Sequence, residues 1–334
     1  MRSASILLAT LNARYIHASL GLRYLLANLG DLRSEAAIRE YTIKRPALEI
    51  VEDLLISKPR VVGFGVYIWN VVETTRVIAM LKAVAPEVTV VLGGPEVSHE
   101  TAEQEIVRLA DYVISGPGEA SFAQLCQQIL AGAAPAERLI AGELHPLDQL
   151  VLPYGEYSDE DIAHRFIYVE ASRGCPFKCE FCLSALDKTA KPFELARFLD
   201  EMAALYARGV RHFKFVDRTF NLNVNTGVRI LEFFLARLDE KLFLHFEVIP
   251  DHLPAALKTL IARFSPGSLQ FEVGVQTFNP EVQALISRKQ DNAQTEANLR
   301  WLRQHSQAHL HVDLIIGLPG EDMESFGQGF DRLL

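Results

Sequence analysis

Three of the four cysteines in this chain fall together in the segment Arg173-Gly174-Cys175-Pro176-Phe177-Lys178-Cys179-Glu180-Phe181-Cys182. Thiolates spaced C-x3-C-x2-C after a predicted strand can close on a metal centre, and two chemistries compete for them. A structural zinc site normally presents a second ligand pair at matching spacing. None follows here, because Cys126 lies far upstream and His212 falls inside a predicted strand. A 4Fe-4S cube held by only three cysteines leaves one iron without a protein ligand, the open position that a catalytic metal requires. Gly174 and Pro176 suit a loop that turns tightly around such a cube.

Other polar residues are placed where chemistry would need them. In Phe271-Glu272-Val273-Gly274-Val275-Gln276-Thr277 the two-residue period of a strand puts Glu272, Gly274 and Gln276 on one face. That face either receives a ligand or buries a carboxylate paired with a neighbouring base. Asp217 stands at the end of one predicted strand, where its carboxylate can meet an ammonium group, and Glu247 at the end of another, where a salt bridge competes with a ligand role. Gly317 and Gly320, after Asp313-Leu314-Ile315-Ile316, permit close backbone approach to a flat ring. His309 and His311 read as one face of a strand and take no ligand role.

These residues need a scaffold, and the alternation of short apolar runs with amphipathic stretches predicts one twice over. Strands are expected at Ile6 to Leu11, Ala37 to Tyr41, Val61 to Tyr67, Val88 to Leu92 and Tyr112 to Ser115, with helices between, a flavodoxin-like doubly wound count. From Ala131 to His164 the pattern dissolves into glycine, proline and acidic residues, which reads as a linker. Strands resume near Phe166 to Ser172, His212 to Val216, Leu242 to Val248, Leu269 to Val275 and Leu310 to Ile316, enough for a partial β/α barrel. The expected division is therefore 1–132, a linker over 133–165, and a barrel domain over 166–334 that looks truncated at its carboxyl end. In such a barrel the loops after the strands carry the chemistry, which is where the cysteines sit.

Composition limits the partners. At 334 residues with a formal charge of -9 and no lysine or arginine tract, the chain lacks the electrostatic footprint of a nucleic-acid binder. The apolar stretch Val61 to Trp69 is too short to span a bilayer, and no apolar signal region precedes the first strand, so a cytoplasmic protein is expected.

C-x3-C-x2-C after a first barrel strand, with Phe181 before the last cysteine, resembles the radical S-adenosylmethionine (SAM) superfamily. The resemblance implies a 4Fe-4S cluster on Cys175, Cys179 and Cys182, SAM bound at the open iron, and reductive cleavage of SAM to a 5′-deoxyadenosyl radical. It implies that Phe181 packs near the adenine, although an ordinary core contact would look the same in sequence. Asp217 occupies the place where the family often has Gly-Gly-Glu to bind the methionine amine. Glu272 and Gln276 match a Glu-x-Gly-x-Gln-(Ser/Thr) signature facing the ribose or methionine, and Ile316-Gly317 matches the segment at the adenine edge.

The leading domain, placed upstream of such a barrel, is similar to the cobalamin-binding domain of the cobalamin-dependent branch, whose fourth strand also ends in Gly-Gly, here Gly93-Gly94. Tyr67 and Trp69 serve either as a stacking floor for the corrin or as core aromatics. The family's Asp-x-His-x-x-Gly cobalt-ligand motif is absent: Ala18 stands three before Gly21, and His17 is out of register. The main expectation is a cobalamin-dependent enzyme, a methyltransferase for choice, acting on a small-molecule or peptide substrate with flavodoxin or ferredoxin as electron donor. The alternatives are a tRNA-modifying enzyme of the methylthiotransferase kind and a non-catalytic corrinoid or iron-sulfur binding protein.

Overall fold

A computed structural model of the chain describes residues 4–186 and 189–334. The chain divides into two compact units, Met1–Ile167 and Tyr168–Leu334. Among the described residues no helix is long and apolar enough to cross a membrane.

The first unit is built on six parallel strands, β1 (Ile6–Asn12), β2 (Ala36–Thr42), β3 (Val61–Gly65), β4 (Thr89–Gly93), β5 (Tyr112–Ser115) and β6 (Leu139–Ala141). Their spatial order is β2-β1-β3-β4-β5-β6, the flavodoxin-like order with one strand added. Residues Ile6 to Leu11 of β1 are all buried, as a parallel sheet covered on both faces demands. Leu7, Ala9 and Phe64 pack toward Ile50, Leu54, Val77 and Leu81 on one face. Ile6, Leu8 and Val61 pack toward Leu22, Leu26, Phe122 and Cys126 on the other.

The segment read as a linker is part of this unit. Leu139–Ala141 extends the sheet beside β5, and Gly142 N donates to Ser115 O at 2.7 Å. A β-carbon at Gly142 would lie 1.9 Å from Pro117 O, so the chain can leave the sheet there only as glycine. Further along, the Ser158 hydroxyl and the Asp161 carboxylate form a capping box that starts the helix Asp159–His164.

Asp161 then meets Arg23, the most buried ionic group among the described residues of the unit. Arg23 is 2% exposed, donates to Asp161 at 2.8 Å and to Glu40 at 2.9 Å, and lies over the Tyr157 ring. Arg165 adds a second cation at 2.8 Å from Glu40. Burial pulls the pKa of the Arg23 guanidinium down, but Glu40 and Asp161 more than reverse that and keep it charged.

The second unit has one five-stranded sheet of order β13-β12-β11-β10-β7, with β7 (Ile167–Val169), β10 (His212–Phe215), β11 (Phe243–Val248), β12 (Leu269–Gln276) and β13 (His309–Leu314). Between β7 and β10, the short antiparallel pair β8 (Ser172–Arg173) and β9 (Lys191–Pro192) encloses the cysteine segment. Along β12, burial alternates strictly: Leu269, Phe271, Val273 and Val275 are buried, whereas Gln270, Glu272, Gly274 and Gln276 are half-buried. Only one face of this sheet is apolar. Its core is aromatic, with the Phe215 ring against Phe220, Phe234 and Phe246, and Phe220 stacked on Phe246.

Asp217, just past β10, fastens the entry to the cysteine loop. It is 2% exposed and accepts hydrogen bonds from Ala171 N at 2.9 Å and Ser172 Oγ at 2.7 Å. Its carboxylate is thus occupied by backbone and hydroxyl donors of its own chain, not directed at an ammonium ligand as expected from sequence. Burial pushes its pKa up to about 7, with the Ser172 and Ala171 donors only partly opposing the shift.

Two outcomes follow from these buried charges. Arg23→Leu leaves Glu40 and Asp161 with an unbalanced buried charge and is expected to cost about 3–5 kcal/mol of unfolding free energy in urea titrations; a cost within experimental error would show that the network contributes nothing. For Asp217 the unfolded carboxyl ionises before the folded one as pH rises. Folded-state stability therefore falls between about pH 4 and pH 7 and stays reduced above that. Asp217→Asn keeps an oxygen acceptor but cannot ionise, so its stability relative to the parent should increase across this window; an unchanged difference from acid to neutral pH would rule out the raised pKa.

Candidate active site

The cysteine loop leaves β8 at Arg173 and turns at Gly174, whose φ of +88° lies in the left-handed region that favours glycine. Pairing of Ser172 with Pro192 and Arg173 with Lys191 closes its neck. Within the loop, Cys182 N donates to Cys179 O at 3.0 Å. At its far side Glu180 N donates to Ile286 O at 3.0 Å, and Ser287 Oγ donates to the Glu180 carboxylate at 2.8 Å. The loop is therefore held both at its neck and from the segment that follows the helix Pro280–Leu285.

Cys175, Cys179 and Cys182 all line one pocket of about 280 Å³. Burial pushes the Cys175 thiol up, with Cys182 and Cys179 adding to the shift. No three His, Cys, Asp or Glu side chains among the described residues converge as ligands of a single metal ion. Three thiols lining one cavity are a donor set that could take three corners of a 4Fe-4S cube and leave the fourth iron open.

Of the residues singled out from sequence, Phe181, Glu247, Glu272, Gly274 and Gln276 join the cysteines in this pocket. Phe181 is 40% exposed, which excludes the ordinary core contact. Gln276 ends β12 with φ +72°, beside an irregularity in its register with β13, and its side-chain amide folds back over Gly274, where a β-carbon would lie 2.3 Å from it. Asp217 lines a smaller neighbouring cavity with Ser172 and Thr219. Ile316 and Gly317 lie beyond the end of β13 and outside the residues lining the cysteine pocket; Ile316 is 73% exposed and Gly317 has φ +87°.

The pocket is strongly charged. His245 Nε2 lies 2.7 Å from Glu272 Oε2, and this contact, more than the nearby Lys214, holds the Glu272 carboxyl below its usual range against the opposing effect of burial. Glu247 lies 3.2 Å from Arg218 but is pushed up by burial. Asp313 is also pushed up, first by burial and then by Glu272. His245, assigned no role from sequence, is placed here by strand pairing: β11 and β12 run parallel with Phe246 beside Phe271 and Glu247 beside Glu272.

Arg288 and Lys289 also line the pocket and went unrecognised in the sequence. A pair of cations in the loop after the fourth barrel strand was the available signal, since loops at that end of a barrel surround its active site.

In the first unit, Tyr67 stacks on Trp69 with ring centroids 4.5 Å apart, and Trp69 is 51% exposed. These rings follow the carboxyl end of β3, beside the end of β4 where Gly93 and Gly94 lie. The two glycines have different reasons. Gly94 has φ +113°, and a β-carbon there would lie 2.4 Å from Val66 O, so backbone packing alone demands glycine. A β-carbon at Gly93 would meet nothing closer than 3.8 Å, which leaves its surface open to a ligand.

Comparison with known proteins agrees with both halves. Residues 169–333 match the radical SAM superfamily, and residues 6–126 match the B12 binding domain. An uncharacterized methyltransferase of Pyrococcus horikoshii is 26% identical over 236 residues, covering 63% of this chain and 51% of that protein. The cobalamin-dependent radical SAM methyltransferase TokK of Streptomyces tokunonensis is 26% identical over 322 residues, covering 84% and 45%. The solved structure of the radical SAM methyltransferase TsrM from Kitasatospora setae, with cobalamin and a 4Fe-4S cluster, superimposes with a TM-score of 0.78 at 19% identity, covering 99% of this chain and 70% of that one. The chain spans about half the length of the curated relatives it matches. With the cysteine pocket in one unit and a B12-binding fold in the other, the chain joins a B12 binding domain to a radical SAM domain that follows it.

Proposed function

We propose that this protein is a cobalamin-dependent radical SAM enzyme that transfers a methyl group to a small-molecule or peptide substrate. The observation that carries the reading is the gathering of Cys175, Cys179 and Cys182 on one open, charged pocket at the carboxyl ends of the barrel strands. The relatives named as methyltransferases support the reaction class.

In this reading the three cysteines hold a 4Fe-4S cluster, and Gly93, Gly94, Tyr67 and Trp69 receive cobalamin. When bound, the cluster supplies an electron for cleavage of SAM and the corrin supplies a carrier for the methyl group. The protein's own residues bind and orient. Glu272, kept ionised by His245, and the Gln276 amide offer acceptors and donors to the polar parts of SAM. Phe181 presents an apolar surface beside the cysteines that limits water there. Asp217 acts through Ala171 and Ser172 on the loop, and so positions the cysteines without touching the cofactor. Ile316 and Gly317, outside the residues that line the pocket, keep only the adenine-edge role that the family resemblance implies.

The methylthiotransferase alternative needs further cluster cysteines in the leading unit. Its single cysteine, Cys126, is fully buried between sheet and helix, and burial pushes the thiol up to about 12. The proposed enzyme is cytoplasmic, with flavodoxin or ferredoxin as reductant.

The decisive test is anaerobic reconstitution with iron, sulfide and cob(II)alamin, followed by desalting and electron paramagnetic resonance. The expected result is about four irons per chain, a reduced-cluster signal that shifts when SAM is added, and a retained cob(II)alamin signal without nitrogen splitting. Replacing all three loop cysteines with alanine should abolish the cluster and spare the corrin signal. A cluster that ignores SAM would overturn the radical reading, and loss of cobalamin on desalting would remove the corrin from it.

A further inference from the structure

The segment that staples the cysteine loop also aims a cation at one of its sulfurs. Arg288 follows the Ile286 carbonyl and the Ser287 hydroxyl that hold Glu180, and Ser287 has φ +54°, an uncommon conformation for a residue with a side chain. The Arg288 guanidinium is fixed on two sides: Nη2 donates to Gly274 O at the end of β12, and Nε donates to Gln290 Oε1 at 3.0 Å. The remaining Nη1 points at Cys179 Sγ, 3.8 Å away. Cys179 is the most buried of the three loop cysteines, at 7% exposure.

We infer that Arg288 is a positioning residue for the cluster, donating to the Cys179 thiolate and raising the cluster's reduction potential. The inference rests on the assignment of a 4Fe-4S cluster to this loop. Reduction adds one electron from the external reductant to the cluster, and Arg288 neither gains nor loses a bond or proton. A hydrogen bond to a ligand sulfur withdraws electron density, and a fixed positive charge favours the more negative, reduced state. Water or a mobile lysine would do this less well, because the guanidinium fork is already held by Gly274 and Gln290 before the cluster is reduced. The effect would bring a low-potential cluster within reach of a biological electron donor.

The test is a redox titration of the reconstituted full chain without SAM, read by electron paramagnetic resonance, with iron and sulfide content measured alongside. For Arg288→Met, the ratio of reduced to oxidised cluster at a fixed solution potential should fall roughly tenfold, equivalent to about 59 mV for one electron. Arg288→Lys keeps a charge but loses the fork, and Gln290→Leu keeps the arginine but frees its Nε; each should give a smaller fall in the same direction. These two variants decide the matter if Arg288→Met assembles no cluster. Variants with parental iron content and an unchanged midpoint would overturn the inference, even if their response to added SAM were altered, since that pattern belongs to a ligand contact. Absence of any cluster in the parent chain would instead defeat the functional assignment itself.

Discussion

The hydrogen bond from the Glu180 amide to the Ile286 carbonyl, with Asp217 gripping Ala171 and Ser172 at the opposite side, fixes a loop that has little regular structure of its own. Three thiols on a flexible loop would lose the conformational entropy of the whole segment whenever they closed on a cluster. Here much of that cost is met on folding. The neck is a two-residue β-pair, the entry is tied to a buried carboxylate, and the far side is tied to the end of a helix that follows the fourth barrel strand. Strand order brings these anchors together from parts of the chain more than a hundred residues apart.

The two sheets answer different demands. In the first unit, helices cover both faces, so β1 is apolar at nearly every position and only Asn12 at its carboxyl end is not fully buried. In the second unit only one face is packed, so β12 alternates and sends Glu272 and Gln276 into the pocket while Phe271 and Val273 turn to the buried face. The difference in period records which faces are packed and which are left open. A half-buried carboxylate is tolerable at Glu272 because His245 on the neighbouring strand hydrogen-bonds it and the Lys214 ammonium, two strands away, lies 3.9 Å from it.

The leading unit spends its buried charge elsewhere. Arg23, Glu40, Asp161 and Arg165 join the first helix, the second strand and the segment that precedes the barrel. An ionic cluster this buried gives modest net stability, because desolvation consumes most of the attraction, but it strongly penalises any arrangement that separates its members. Its effect is to specify one seat for residues 158–166, a stretch with too few apolar side chains to define one by packing.

By itself the sequence determined the cysteine spacing and most of the element types. The C-x3-C-x2-C spacing, the apolar runs of β1, β3 and β4, and the period of β12 are local patterns, visible because they depend on residues a few positions apart. The sixth strand was not legible, since Leu139–Ala141 is only three residues long and partly exposed, and its pairing with β5 depends on the glycine exit at Gly142. Asp217 was visible as a carboxylate at a strand end, but its direction was not; only the fold showed it turned toward Ala171 and Ser172. His245 and Arg288 escaped for the same reason. Each acts on a partner distant in sequence, Glu272 or Cys179, and such a contact exists only after parallel strands and their connecting loops have been brought into register.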